Sequence, residues 1–317
     1  MLFLGSPGSV HPYGVFEIDL AGNTIRETNI ERVNEQLAFL GQDRIVEFHH
    51  EAIRLPSNHT LVLGYVERMF SNVQGSNGPV NVIGIMIIDL DENWQVSWTW
   101  NAFDHLDINR AAILNEKCSI YIPSCPDLKL STVSNDWLHA NSIDYSYDGN
   151  LIVSLRNQDW VIKIDYRNGS GTGAVLWRLG KDGDFTLLGG ADDPYPWFSH
   201  QHDARYAGQS QVTLFDNGNT RCQQMATRCF SRGQAWSIDE VRRVARLDVN
   251  ANLGGYSGAW GSAERLLNGN YHFTAGKLLP GPYSRSIEVR ADGEQTYVLE
   301  VPVGIYRSYR VRSLYEP

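Results

Sequence analysis

Imidazole is the side chain best poised for proton transfer near neutral pH, and it also serves as nucleophile and metal ligand. Three histidines in this chain stand at the same point of three near-copies of one segment. His50-Glu51-Ala52-Ile53 leads into Thr60-Leu61-Val62-Leu63, and His139-Ala140-Asn141-Ser142-Ile143 leads into Asn150-Leu151-Ile152-Val153. His202-Asp203-Ala204-Arg205-Tyr206 leads into Gln211-Val212-Thr213-Leu214-Phe215. A fourth copy begins at Gly261 and carries its histidine later, at His272. A hairpin repeated with histidine at one fixed point predicts propeller blades whose imidazoles converge on one axis. Such a set admits two chemistries: ligation of a divalent metal, or metal-free nucleophilic and acid–base catalysis. The plain alternative is a set of rings that hydrogen-bond to one another and pack the channel. Their neighbours Glu51, Asn141 and Asp203 are polar, as contacts to a substrate would be.

Arginine is the second signal. Of 27 basic residues only five are lysine, and Arg221 directly follows Asp216-Asn217-Gly218-Asn219-Thr220. A turn rich in Asp and Asn can fix a guanidinium at the channel mouth, and Arg156, at the end of its strand, could be held likewise. The planar guanidinium fork suits an anion with several oxygens better than an ammonium does; a surface bias in composition would give the same count. Trp137, Tyr195, Trp197 and Phe198 stand just before histidines, in loops, where they could form an aromatic collar for a planar ligand or simply pack. Trp98, Trp100, Trp177 and Trp236 belong to strand segments and read as packing residues.

The elements that must position these groups are strands. A second, acidic hairpin signal alternates with the histidine hairpins, as in Phe16-Glu17-Ile18-Asp19-Leu20, Ile87-Ile88-Asp89-Leu90, Ile162-Lys163-Ile164-Asp165, Trp236-Ser237-Ile238-Asp239 and Ile287-Glu288-Val289. Asp-Gly, Asn-Gly and Gly-Asn turns separate the apolar runs, because these residues tolerate positive φ. Pairing each histidine hairpin with the acidic hairpin after it predicts four four-stranded blades, starting near His50, His139, His202 and Gly261. The N-terminal acidic hairpin and the strand around Tyr306–Val311 remain over, and joining them would close the ring and hide both sheet edges. The chain thus reads as all-β, a single-domain propeller over residues 1–317 with five visible repeats; a sixth could lie between Trp100 and Asp136. Short helices are expected at Ile30–Leu40 and His105–Asn115.

Composition narrows the function further. A formal charge of −9 argues against a nucleic-acid partner, and no apolar run is long enough to span a bilayer. The spacing of Cys118 and Cys125, and of Cys222 and Cys229, fits neither a zinc site nor a redox motif, and predicts two short-loop disulfides or four buried thiols. Disulfides would imply an oxidising compartment, although Met1-Leu2-Phe3-Leu4-Gly5 shows no basic signal-peptide start. Asn58-His59-Thr60 and Asn168-Gly169-Ser170 match the glycosylation tripeptide, which is common by chance.

Asp136-Trp137-Leu138-His139-Ala140-Asn141-Ser142-Ile143, Gln201-His202-Asp203-Ala204 and Thr213-Leu214-Phe215-Asp216-Asn217-Gly218-Asn219-Thr220-Arg221 together resemble the bacterial arylsulfotransferase family, which uses an aryl sulfate as donor in place of the nucleotide PAPS. The His49-His50 pair and Val175-Leu176-Trp177-Arg178-Leu179-Gly180 fit the same pattern, and the similarity runs over roughly residues 10 to 315. The resemblance implies a six-bladed propeller with a central site and a ping-pong reaction. In it a histidine takes the sulfuryl group from an aryl sulfate and passes it to a phenol. His139 and His202 match family active-site histidines, and Arg221 matches the arginine that holds the sulfuryl oxygens. The family nucleophile lies in the last third of the chain, where His272 is the histidine present. By alignment of the repeats, His272 falls level with Val62 and Ile152, not with the other three histidines.

The resulting expectation is a transferase with a small aromatic sulfate donor and a phenolic acceptor, no cofactor, no metal set and no membrane partner, in the periplasm or secreted. His139, His202, Arg221, His272 and His50 are the candidate catalytic residues; Asn141, Asp203, Arg156, Trp137 and Trp197 are the candidate substrate contacts. No Gly-rich phosphate loop is present, in keeping with a donor that carries no nucleotide. Two other readings share these residues: a propeller lyase or hydrolase acting on an anionic sugar or ester, with a metal or a His/Tyr/Arg set, and a non-catalytic binding propeller.

Overall fold

The computed structural model describes residues 2–5, 12–190, 193–208, 210–281 and 283–311. The chain is all-β, a succession of five small, largely antiparallel sheets that form the blades of a β-propeller. It divides into two compact units, residues 1–143 with 164–175, and residues 144–163 with 176–317.

In the first unit, Gly14–Ile18 and Thr24–Asn29 make the expected N-terminal hairpin. Its third strand is Leu2–Gly5, antiparallel to Gly14–Ile18. The C-terminal stretch expected beside this hairpin lies elsewhere, on the strands Ser262–Arg265 and Tyr271–Leu278 of the second unit. There side chains replace a backbone ladder: Thr274 Oγ1 accepts from Ser308 N (3.0 Å), and Glu264 accepts from Arg310 N (2.8 Å).

The second sheet starts with the meander Ile45–Arg54, Thr60–Ser71, Pro79–Leu90 and Val96–Asn101. The two 12-residue strands are buried over continuous runs, residues 60–66 and 81–90, and Val62, Val66, Met86 and Ile88 join Phe48 and Val15 in one core. The gap after Trp100 holds no sixth blade. It adds Lys117–Ser119 and Val133–Asp136 to this sheet, the latter parallel to Pro79–Leu90, and the Cys118–Cys125 disulfide staples the segment between them.

The helix Ile30–Phe39 matches its sequence signal. Asn29 caps it by accepting from Arg32 N at 3.0 Å, and Ile30, Val33 and Leu37 turn into the core. Asn34, on the same face, pins the next strand by paired hydrogen bonds to Ile45 N and O, both 2.9 Å. His105–Asn115, by contrast, is a run of turns. Asp107 binds the backbone N–H of Asn109 (3.0 Å), the local competition with helix that Asp side chains offer, and Asn115 is left-handed.

The third meander runs Ala140–Tyr145, Leu151–Leu155, Trp160–Ile164 and Val175–Gly180. In the second unit, His202–Tyr206, Gln211–Asp216, Arg232–Asp239 and Val244–Asn252 follow, with Thr186–Leu188 added in parallel to the last. Ser262–Arg265, Tyr271–Leu278, Tyr283–Val289 and Gln295–Val301 complete the set. Trp177, Trp236 and Phe198 pack one core of this unit, Phe215 and Phe273 another. Blade starts fall within a few residues of the four sequence copies. The second predicted disulfide, Cys222–Cys229, is formed as well.

Candidate functional site

The repeated histidine position is a place where the backbone is forced out of regular strand geometry. His50 has φ 54, His139 has φ 47, and Asp203, next to His202, has φ 53. Left-handed backbone is costly for residues other than glycine, and such outliers concentrate at functional sites. Two of them sit in β-bulges: the pairing register slips between His49 and Ala52, and again between His202 and Arg205. A bulge inserts an unpaired residue and re-aims side chains. In a regular strand His49 and His50 would point to opposite faces. Here their Nδ1 atoms meet at 2.9 Å.

In the first unit these side chains form one cluster. His50 and His139 are half-buried, with ring centroids 4.9 Å apart in edge contact. His139 Nδ1 is 2.6 Å from Asp136 Oδ2 across a tight turn, and the carboxylate side chain is only 8% exposed against 22% for the imidazole. An Asp partner on Nδ1 sets the tautomer: the proton lies on Nδ1, and Nε2 carries the lone pair. His49 is fully buried and stacked on Tyr65 at 3.7 Å. Burial, and secondarily the nearby His139, push its pKa down to about 3, so it stays neutral. Asn141 and Glu51 are buried in the same unit.

The second unit holds His202, Arg221, Arg156, Asp203, His272 and Trp197, arranged differently. His202 is buried, its Nδ1 2.7 Å from Asn217 Oδ1. The Asn217 amide is oriented by donating from Nδ2 to the carbonyls of Ser257 (2.7 Å) and Trp260 (3.1 Å). Arg221 is buried too: its Nη2 donates to Asp216 at 3.1 Å and to the Phe230 carbonyl at 2.6 Å, and its guanidinium lies 4.9 Å over the Phe230 ring. Asp216 also binds Arg232 Nε at 2.6 Å. Burial lowers the Arg221 pKa and Asp216 opposes that shift. Gly218 is required here, since its backbone is left-handed and a Cβ would fall 2.4 Å from Arg221 Nη2. Arg156 is half-buried and donates to Asn157 Oδ1 (2.8 Å) and the Gly258 carbonyl (3.3 Å).

Asp203 is fully buried, ion-paired with Arg205 (2.7 Å) and Arg307 (3.5 Å), which hold its pKa down against the effect of burial. His272 lies inside its strand, as its register predicts: it is buried, Nε2 bonds Ser286 Oγ at 2.7 Å, and Nδ1 is 3.3 Å from Glu264. The aromatic loop residues pack. Trp137 is buried, stacked on Phe103, and donates to the Arg110 carbonyl at 2.7 Å. Trp197 stacks on Trp236 at 4.9 Å, and Tyr195 and Phe198 are buried.

Sequence reasoning marked His50 and His139 but gave no role to Asp136, His49 or Tyr65. The signal for Asp136 was its place three residues before His139. It also passed over His200, buried between Asp159 (2.8 Å) and Thr220 Oγ1 (3.1 Å), which pins the loop before His202. Among the described residues no three His, Cys, Asp or Glu side chains stand close enough to hold a metal ion. Among the described residues no helix is long and apolar enough to cross a membrane.

A family model described as Arylsulfotransferase (ASST) matches residues 4–309, nearly the whole chain. No curated protein matches it. Solved structures similar to it include a protein of unknown function from Bacteroides caccae, at 11% identity and TM-score 0.47, covering 95% of this chain and 77% of that one. A streptogramin B lyase is similar at 10% identity and TM-score 0.43, covering 95% and 67%. The periplasmic gluconolactonase of Pseudomonas aeruginosa is similar at 10% identity and TM-score 0.35, covering 98% and 97%. At this level they say nothing about chemistry.

Proposed function

The chain belongs to the arylsulfotransferase (ASST) family, and from that premise we propose that it moves a sulfuryl group from an aryl sulfate to a phenol, with no nucleotide donor, through a sulfohistidine at His139. The observation that carries this is the Asp136–His139 pair: a buried carboxylate on Nδ1 of an imidazole that is itself partly open to solvent. That is the arrangement of an activated nucleophile.

The neutral His139 attacks sulfur through Nε2. The N–S bond forms, the S–O bond to the aryl group breaks, and the phenolate takes a proton from the His50 imidazolium. Positive charge that develops on the sulfated ring is balanced by Asp136. In the second half the acceptor phenol gives its proton to His50 and its oxygen attacks sulfur. The N–S electron pair then returns to Nε2. Charge spreads over three sulfuryl oxygens in each transition state, where a fixed cation such as the His50 imidazolium is stabilising. Arg221 Nη2 donates to Asp216 and the Phe230 carbonyl, Asp203 is ion-paired with Arg205, and His272 Nε2 bonds Ser286; the proposed reaction is not routed through them. The two disulfides support a secreted or periplasmic protein, since such bonds persist in oxidising compartments.

Brief mixing with 4-nitrophenyl sulfate, followed by intact-protein mass spectrometry, tests the proposal. A gain of about 80 Da that maps to His139 and disappears on adding a phenol is the expected result. An adduct on another histidine would move the nucleophile, and no adduct with no nitrophenol release would sink the transferase mechanism.

A further inference from the structure

His49 takes no part in the steps above, yet His50 touches it through nitrogen. Two ring nitrogens 2.9 Å apart share a single proton. The charged and titratable side chains beside this pair include His139, Asp136 and Tyr65, and His49 is clamped between His50 in edge contact (5.1 Å) and Tyr65 in a flat stack (3.7 Å). His49 stays neutral at any working pH, and its Nδ1 is an acceptor in the tautomer that carries the one proton on the buried Nε2. An imidazolium at His50 carries N–H on both nitrogens, so its Nδ1–H has to point at His49 Nδ1. The same arrangement survives when His50 loses a proton from Nε2.

We infer that His49 is a positioning residue for His50: a buried acceptor that holds the ring by Nδ1 in both charge states, so that the proton of the transfer reaction comes and goes through Nε2. The inference rests on the sulfohistidine reading above and divides the work between two imidazoles by their partners. His139 has a carboxylate, which strengthens a nucleophile. His50 has a neutral ring, which orients it without trapping its proton as a carboxylate would.

The first test uses the wild-type protein. Nitrogen-15 NMR should detect coupling across the His49–His50 hydrogen bond, and its absence at every pH from 5 to 8 would overturn the inference. The second compares His49→Phe, which keeps the stack on Tyr65, with His49→Asn, whose side-chain oxygen can replace the Nδ1 acceptor. In His49→Phe the His50 titration, assigned by its loss in His50→Gln, should fall by about one pH unit, as expected when a hydrogen bond to a charged group is lost. The alkaline limb of the nitrophenol-release rate, which reports loss of the His50 imidazolium, should move with it, and that rate at neutral pH should fall about tenfold. His49→Asn should restore both. A His50 titration unmoved by His49→Phe, or an Asn variant that behaves like Phe, would overturn the role. The adduct at His139 decides the sulfohistidine reading separately: an adduct without the coupling sinks this inference alone, and the coupling without an adduct sinks the reaction it was to serve.

Discussion

Two neighbourhoods of this chain contain much the same chemistry and treat it in opposite ways. Around His139 in the first unit, a buried carboxylate grips an imidazole that is left partly exposed, next to a second half-buried imidazole. Around Arg221 in the second unit, a fully buried carboxylate grips two arginines that are themselves buried, and carbonyl groups take up further donors. Half-buried polar groups can exchange a proton or a group with a substrate. Buried ion pairs hold the chain together, because an unpaired buried charge costs several kcal/mol. The first neighbourhood should therefore answer to substitution in rate and the second in stability.

The largest effect should come from His139→Ala, which removes the proposed nucleophile and should lower kcat/KM about a thousandfold or more while leaving thermal unfolding close to wild type. A variant with a tenth of wild-type activity would remove His139 from the role. Asp216→Ala should act the other way, leaving Arg221 and Arg232 without their shared carboxylate and costing about 3 to 5 kcal/mol in a denaturant titration. If Arg221→Ala proved as stable as wild type yet inactive, its guanidinium would act on substrate and the contrast would fail.

Asp136→Asn keeps the shape of the nucleophile pair but lets His139 take the wrong tautomer. It should cost about a hundredfold or more in the sulfation rate measured by stopped-flow release of nitrophenol. Loss of the Cys222–Cys229 bridge, whose partners are seven residues apart, should cost about 2 kcal/mol by the loop-entropy relation, read as a lower unfolding midpoint for the double serine variant.

The remaining effect is absent at neutral pH and appears only in acid. His49 is held neutral down to about pH 3 in the fold but binds a proton below 6.5 once unfolded. The unfolded state therefore gains protons as pH falls, and stability declines from pH 6.5 downward, by at most about 1.4 kcal/mol per pH unit from this group. His49→Phe should flatten the pH dependence of unfolding between pH 6 and 4. An unchanged slope would mean that His49 does not stay neutral.

Sequence periodicity by itself was enough to define the β class and the start of four of the five blades, and it offered the two short disulfide loops as one of two readings, because strands, turns and short loops depend on residues close in the chain. It also singled out His50 and His139. What it could not settle was which polar groups remain available. Arg221 follows an Asp- and Asn-rich turn, as an exposed anion-binding arginine might be expected to do. It is nevertheless consumed by Asp216 and by the carbonyl of Phe230, which the disulfide loop returns to it. Asp203 is a similar case, taken up by Arg307 from the end of the chain. His49 and His50 meet through nitrogen only because a bulge overrides the strand's alternation. Exposure and hydrogen-bond saturation depend on which distant segments arrive at a residue. Local sequence therefore proposed candidate reactive groups, and tertiary packing divides them into buried, ion-paired ones such as Arg221 and Asp203 and the half-buried His50 and His139.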